Sequence, residues 1–143
     1  MNEAEAREAF AKARAARLAT LDPGGAPHIV PICFAVDGDV IYSAIDHKPK
    51  RSAHLQRLRN INHDPRVAIL ADYYDECWQN LWWIRADGRA RVVSAGEQAV
   101  ALLARRYEQY RERPPRGEMI VIEVARWSGW GNVAGTLPSG PDA

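Results

Sequence analysis

Leu81-Trp82-Trp83-Ile84-Arg85-Ala86-Asp87-Gly88-Arg89-Ala90-Arg91-Val92-Val93 carries the clearest folding signal in the chain. Two runs containing aromatic and β-branched residues flank Asp87-Gly88, and Asp-Gly is the strongest two-residue signal for a type I′ hairpin turn. The stretch predicts a hairpin with strands over 81–86 and 89–93. Alternation along the first strand puts Trp82 and Trp83 on opposite faces, so only one of them faces the core.

Working outward, Ser94 followed three residues later by Glu97 reads as a capping box. The helix it opens carries Val100, Leu103, Tyr107 and Tyr110 on one stripe, and Arg113-Pro114-Pro115-Arg116-Gly117 stops it. Met119 to Ala125 is the last expected strand. On the other side, Arg66 to Ala71 reads as a buried strand, joined to the hairpin by a polar, aromatic connection over 73–79. Arg51 to Asn60 is a helix, with Leu55, Leu58 and Ile61 at helical spacing. Val40 to Ala44 is a strand entered through the turn Asp37-Gly38-Asp39. Pro27 to Val36 reads as one longer strand, in which Pro31 marks a bulge or an edge because proline cannot donate to a ladder. Leu18 to Leu21 is a short strand closed by Asp22-Pro23-Gly24-Gly25, and residues 3–16 form a surface helix behind Asn2 as N-cap, with Phe10 inward. The sum is a mainly β (α+β) chain. Its six or seven antiparallel strands form a small β-barrel with outer helices. Residues 1–130 make one domain, and 131–143, rich in glycine and proline, a loose tail.

The chain's 143 residues suit a single domain, and 47% hydrophobic with 26% charged residues suits a real core. A net charge of +1 provides no global field toward nucleic acid or membrane, so neither is an expected partner. No run of about eighteen apolar residues exists, and Met1-Asn2-Glu3-Ala4-Glu5 lacks a signal core. Cys33 and Cys77 make no disulfide framework and read as reduced thiols of a cytoplasmic protein.

The segment after Val40-Ile41-Tyr42 is the most suggestive chemically. Ser43 lies on that strand, Lys48-Pro49-Lys50-Arg51 crowds three cations into four positions, and a helical pattern follows. Strand, basic loop and helix start converge on an anion. Among 19 Lys and Arg residues the lysines are Lys12, Lys48 and Lys50, so two of them fall in this loop. An ordinary charged surface loop is the competing reading. Elsewhere there is no G-x-S-x-G elbow, no H-E-x-x-H and no phosphate-binding loop motif. His28, His47, His54 and His63 are scattered, no metal site is expected, and Asp72, Asp75 and Glu76 read as a solvated loop. No residue stands out as a catalytic acid, base or nucleophile, which fits chemistry carried by a bound cofactor. The candidate cradle is Lys48 and Lys50 for a phosphate, Ser43 as a donor, and the Val30-Pro31-Ile32-Cys33 edge against a flat ring. Trp78, Trp82 and Trp83 are available as aromatic walls, with core or interface roles as their alternative.

These pieces together resemble the pyridoxamine 5′-phosphate oxidase-like flavin-binding split barrels, and within them the probable coenzyme F420 (deazaflavin)-dependent oxidoreductases. The resemblance runs from about Ala15 to Trp130. It rests on Leu18-Ala19-Thr20-Leu21-Asp22, Pro27-His28-Ile29-Val30-Pro31, Tyr42-Ser43, Lys48-Pro49-Lys50, Arg59-Asn60-Ile61, Asp64-Pro65-Arg66-Val67 and Trp82-Trp83 before Asp87-Gly88. It implies a homodimer with two cofactor sites at the interface. Ser43, Lys48 and Lys50, with Pro49 between the lysines, would hold the phosphate, and the backbone of Val30, Pro31 and Ile32 would face the ring. Arg57, with Arg51 and Arg59, would meet the carboxylates of the deazaflavin tail, the alternative being that these arginines solvate the helix or pair with Asp and Glu, and Trp78 or Trp83 would wall the ring. The implied reaction is hydride transfer between coenzyme F420 and a small unsaturated or quinone-like substrate. Flavin mononucleotide (FMN) is the alternative cofactor, and a non-enzymatic carrier the alternative role. Trp127-Ser128-Gly129-Trp130 stands where the oxidase has an arginine-and-tryptophan substrate motif, which argues against pyridoxine phosphate as substrate.

Overall fold

A computed structural model describes residues 1–45 and 52–133 of the chain. In chain order the elements are helix α1 (Glu3–Lys12), strands β1 (Ala16–Leu21), β2 (Pro27–Ile32), β3 (Ala35–Asp37) and β4 (Val40–Ala44), helix α2 (Ser52–His63) and strand β5 (Arg66–Tyr73). A 3-10 turn at Trp78–Asn80 leads to strand β6 (Trp82–Ser94), helices α3 (Glu97–Arg106) and α4 (Glu108–Glu112), and strand β7 (Glu118–Gly131). Among the described residues the strands form one antiparallel sheet in the order β2-β1-β5-β6-β7-β4-β3. With its outer helices this is the split-barrel architecture expected from the sequence.

The expected hairpin at Asp87-Gly88 does not form. β6 runs straight through, pairing with β5 from Tyr73↔Trp82 to Arg66↔Arg89 and with β7 along its whole length. Asp-Gly marks a bulge instead. Asp87 faces Arg126 and Gly88 faces Val124, so Ala125 is the extra residue that bends the pair. A Cβ on Gly88 would lie 2.2 Å from the Glu123 carbonyl oxygen, so glycine is required here by backbone approach and not by a turn. A second correction offsets the first in the strand count. The expected strand 27–36 breaks at Cys33-Phe34 into β2 and β3, which do not pair with each other, while β4 pairs with β7.

Several boundaries also move. Ser94 is the last residue of β6, paired with Glu118, and the cap of α3 is Gly96 without a side-chain bond, so the capping box is absent. The expected single helix breaks at Tyr107 into α3 and α4. α1 ends at Lys12 because Ala13 turns to extended backbone, while its expected Asn2 cap is present, accepting from the Glu5 N–H at 2.8 Å. Gly131 closes β7 opposite Trp82, and residues 134–143 of the expected tail lie outside the described residues.

The core collects the inward faces of β1, β5, β6, β7 and β4 (Leu18, Ile69, Ile84, Ile122, Ile41) beneath α1. Phe10 of α1 packs on Phe34 at 4.8 Å and edge-on to Trp127 at 5.4 Å between ring centroids. The Trp127 indole donates to Asp39 at 2.9 Å, and Arg7 pairs with the same carboxylate at 3.0 Å, pinning the β3–β4 turn to β7 and α1.

One buried polar contact crosses this core. The Asn60 amide donates to the Thr20 hydroxyl at 3.0 Å and accepts from Gln56 at 2.6 Å, with Asn60 and Thr20 both buried. Asn60→Ala leaves a buried hydroxyl without its donor, and a loss of about 2 kcal/mol in urea unfolding is expected. Thr20→Val made in that background should cost much less than in the wild type, which a double-mutant cycle reads directly.

Two carboxylates, exposed Asp39 and half-buried Asp64, contribute to the acid limb of stability. Asp64 is held down to about 2 from its ordinary 3.8, first by the Arg66 side chain and then by the Arg66 backbone N–H. Asp39 is lowered first by the Trp127 hydrogen bond and then by Arg7. A depressed folded value contributes stability that is complete above the unfolded pKa and lost as pH falls through the folded one. The thermal midpoint should therefore drop between about pH 4 and pH 2, and the Asp39→Asn/Asp64→Asn double variant should show a shallower drop over that window.

Candidate functional site

Among the described residues β2 lies at one edge of the sheet and pairs only with β1, in unbroken register from Ala16↔Ile32 to Leu21↔Pro27. Of the two readings of Pro31, edge and bulge, the structure has the edge, where a missing N–H costs no ladder bond. Past Ile32 the chain crosses through Cys33-Phe34 to β3, and β4 returns beside it. A cavity of about 250 Å³ opens where this crossing meets the end of β4. Its lining is Ala15, Pro31, Ile32, Cys33, Ser43, Ala44, Arg57 and Tyr110.

The chemistry of that lining is uneven. Ala15, Pro31, Ile32 and Ala44 make an apolar wall beside a strand edge. Arg57 of α2 places a guanidinium there although the residue is only 8% exposed. Positive charge beside an apolar wall is compatible with a flat apolar group that also bears negative charge. Ser43 is 1% exposed and donates to the Cys33 carbonyl at 2.9 Å. Its proton is committed there. In this geometry Ser43 fixes the β2–β3 crossing and offers its lone pairs, rather than a free donor, to the cavity.

Tyr110 of α4 brings the α3–α4 arm onto the cavity. The arm is anchored by the two residues before α4. Arg106 donates to the Phe34 carbonyl at 2.9 Å and to the Ala13 carbonyl, with its guanidinium 4.7 Å from the Phe34 ring centroid. The Tyr107 hydroxyl accepts from the Phe34 N–H at 3.1 Å and lies 3.1 and 3.2 Å from the Phe34 and Arg14 carbonyls, to one of which it donates. Burial pushes the Arg106 pKa down and the Tyr107 pKa up, in each case as the largest cause.

The structure thus brings Pro31, Ile32, Ser43 and Arg57 together. Val30 adjoins them in sequence, but its half-buried side chain packs against the main core. Trp78 is 71% exposed in the 3-10 turn, and Trp83 lies on the outer sheet face beside Trp130 with Arg85 over its ring; neither lines the cavity. Trp82 is the inward one of the pair, 5% exposed and stacked on Tyr73 at 6.5 Å. Lys48, Pro49 and Lys50 lie outside the described residues. Sequence reasoning missed Ala15, Tyr110, Arg106 and Tyr107. The only signal for any of them was the stripe that included Tyr107 and Tyr110, which read as core.

Among the described residues no cluster of three or more His, Cys, Asp or Glu could hold a metal, and no helix is long and apolar enough to cross a membrane.

Comparison with known proteins places this geometry. The family model described as pyridoxamine 5′-phosphate oxidase matches residues 3–131. No curated protein matches the sequence. A conserved hypothetical protein from Mycobacterium tuberculosis has a similar fold, with TM-score 0.72 and 24% identity over 92% of this chain and 85% of that one. A FAD-binding protein from Mesorhizobium loti aligns with TM-score 0.67 and 18% identity over 90% and 94%. A heme-binding protein from Mycobacterium smegmatis aligns with TM-score 0.68 and 19% identity, covering 96% of this chain but 57% of that one. With the model spanning nearly all of the described split barrel, the chain belongs to the pyridoxamine 5′-phosphate oxidase family.

Proposed function

We propose that this chain is an oxidoreductase that binds a phosphorylated flavin-type cofactor in the cavity between β2, β4 and α2, with coenzyme F420 as the leading choice. The observation that carries the reading is the buried Arg57 guanidinium on an otherwise largely apolar wall beside the β2 edge. When bound, such a cofactor supplies hydride transfer to or from a small unsaturated or quinone-like substrate. The protein's own work is positional. Pro31 and Ile32 set the plane of the ring, Ser43 holds the Cys33 carbonyl in place, and Arg57 meets the anionic part. Lys48 and Lys50, with Pro49 between them, are the proposed phosphate ligands, and Arg59, exposed on α2, extends positive charge toward a carboxylate tail. FMN is the second reading, favoured by the FAD-binding relative of the same fold. Titration of the purified protein with both cofactors, followed by cofactor fluorescence, separates the two. Binding of neither removes the proposal.

A homodimer belongs to the same reading. The outer face of the sheet leaves Leu70 37%, Trp83 37% and Trp130 55% exposed on β5, β6 and β7, apolar surface that a second copy would cover. Sedimentation should give a dimer for the wild type and a monomer for Leu70→Glu/Trp130→Glu, because the paired copy would bury four new carboxylates. A wild-type monomer at assay concentration would contradict the dimer.

A further inference from the structure

We infer that Arg106 and Tyr107 are positioning residues of the cavity, clamping its non-strand walls into the shape that receives the cofactor; this rests on the cofactor reading above. The argument is one of adjacency. Three of the lining residues sit next to atoms that the pair holds. Cys33 precedes Phe34, whose carbonyl takes the Arg106 bond at 2.9 Å and whose N–H donates to Tyr107 at 3.1 Å. Ala15 follows Arg14, whose carbonyl lies 3.2 Å from the Tyr107 hydroxyl, and Arg106 also binds the Ala13 carbonyl. Tyr110 packs edge-on to the Tyr107 ring at 5.6 Å.

Neither Ala13–Ala15 nor Cys33-Phe34 belongs to a strand. Ladder bonds therefore do not fix these segments, although Ala15 and Cys33 in them line the cavity. Ser43 holds Cys33 from the β4 side, and the Arg106–Tyr107 pair holds the same crossing from the helical side. The guanidinium lies over both the Phe34 and Tyr107 rings, at 4.7 and 5.3 Å, so it is stacked as well as hydrogen-bonded. A site held from both sides binds without first ordering its walls, and losing one clamp shows as weaker binding rather than as unfolding.

The test uses the full chain carrying Cys77→Ser, so that Cys33, which is exposed, becomes the thiol reporter on the cavity lip. Tyr107→Phe removes only a hydroxyl, and Arg106→Lys keeps the charge but not the two-armed contact. Two quantities are read at a temperature well below every melting midpoint. One is the rate of Cys33 labelling by a disulfide reagent, and the other the dissociation constant for FMN and for coenzyme F420. The clamp predicts a rise of about fivefold in both for Tyr107→Phe, the size of one partly buried hydrogen bond. Arg106→Lys should fall between wild type and Arg106→Ala. A merely structural role would shift the melting midpoint and leave Cys33 reactivity and affinity alone, and that result overturns the inference. If the wild type binds neither cofactor, the cofactor reading fails, and the clamp is then decided by the Cys33 rate alone.

Discussion

Gly88→Val should unfold in urea with about 3 kcal/mol less stability than the wild type. The reason is the bulge. An added Cβ meets the Glu123 carbonyl oxygen at 2.2 Å and the Glu123 carbonyl carbon and Val124 Cα at 3.0 Å, all of them backbone atoms of β7. No rotamer relieves a backbone clash, so β6 and β7 must separate locally, and these are the two longest strands of the sheet. The disturbance would spread to two tethers of the same region, the Val124 N–H to the Asp39 carbonyl and the Ala90 N–H to the Pro65 carbonyl, each 2.8 Å long. If Asp87-Gly88 were instead a solvent-facing hairpin turn, valine at 88 would cost far less and the rest of the sheet would be untouched. A stability within about 1 kcal/mol of wild type would favour the turn.

The second large effect is on binding. Arg57→Met keeps an unbranched apolar stem and removes the charge. Cofactor affinity should fall about thirtyfold, the equivalent of about 2 kcal/mol for a charge-assisted contact in a partly dry site. Stability of the cofactor-free variant, read by urea unfolding, is the control, since Arg57 also interacts within the protein. Weaker binding with unchanged or higher stability marks a binding role. Lower stability with unchanged binding would mark Arg57 as a structural residue of α2.

Much of the architecture was legible from patterning, and the misreadings share a cause. Val40–Ala44 and Arg66–Ala71 carry enough β-branched residues to declare themselves, and both are strands close to those bounds. Asp87-Gly88 misled because local turn chemistry says nothing of the neighbours on either side. Once β5 and β7 flank β6, continuous pairing outweighs a two-residue preference and the glycine serves close approach instead. The break at Cys33-Phe34 was hidden for the opposite reason, since an apolar run reads as one strand until Tyr107 and Arg106 are seen to take the Phe34 backbone groups.

At the candidate site, Pro31 was readable because a proline in a strand restricts where that strand can lie. Ser43 was readable by position but not by role, since only the fold shows its hydroxyl turned to the Cys33 carbonyl. Arg106 was not readable at all. The chain is rich in arginine, and what distinguishes this one is two backbone carbonyls and two aromatic rings brought from distant parts of the sequence.

The central claim, a flavin-type cofactor held in the cavity between β2, β4 and α2, meets its most direct test in titration of wild type and Arg57→Met with coenzyme F420 and FMN, followed by cofactor fluorescence. The account predicts saturable binding of one cofactor per chain for at least one of the two, weakened about thirtyfold by the substitution. Equal affinity of wild type and variant, or no binding of either cofactor, would contradict it.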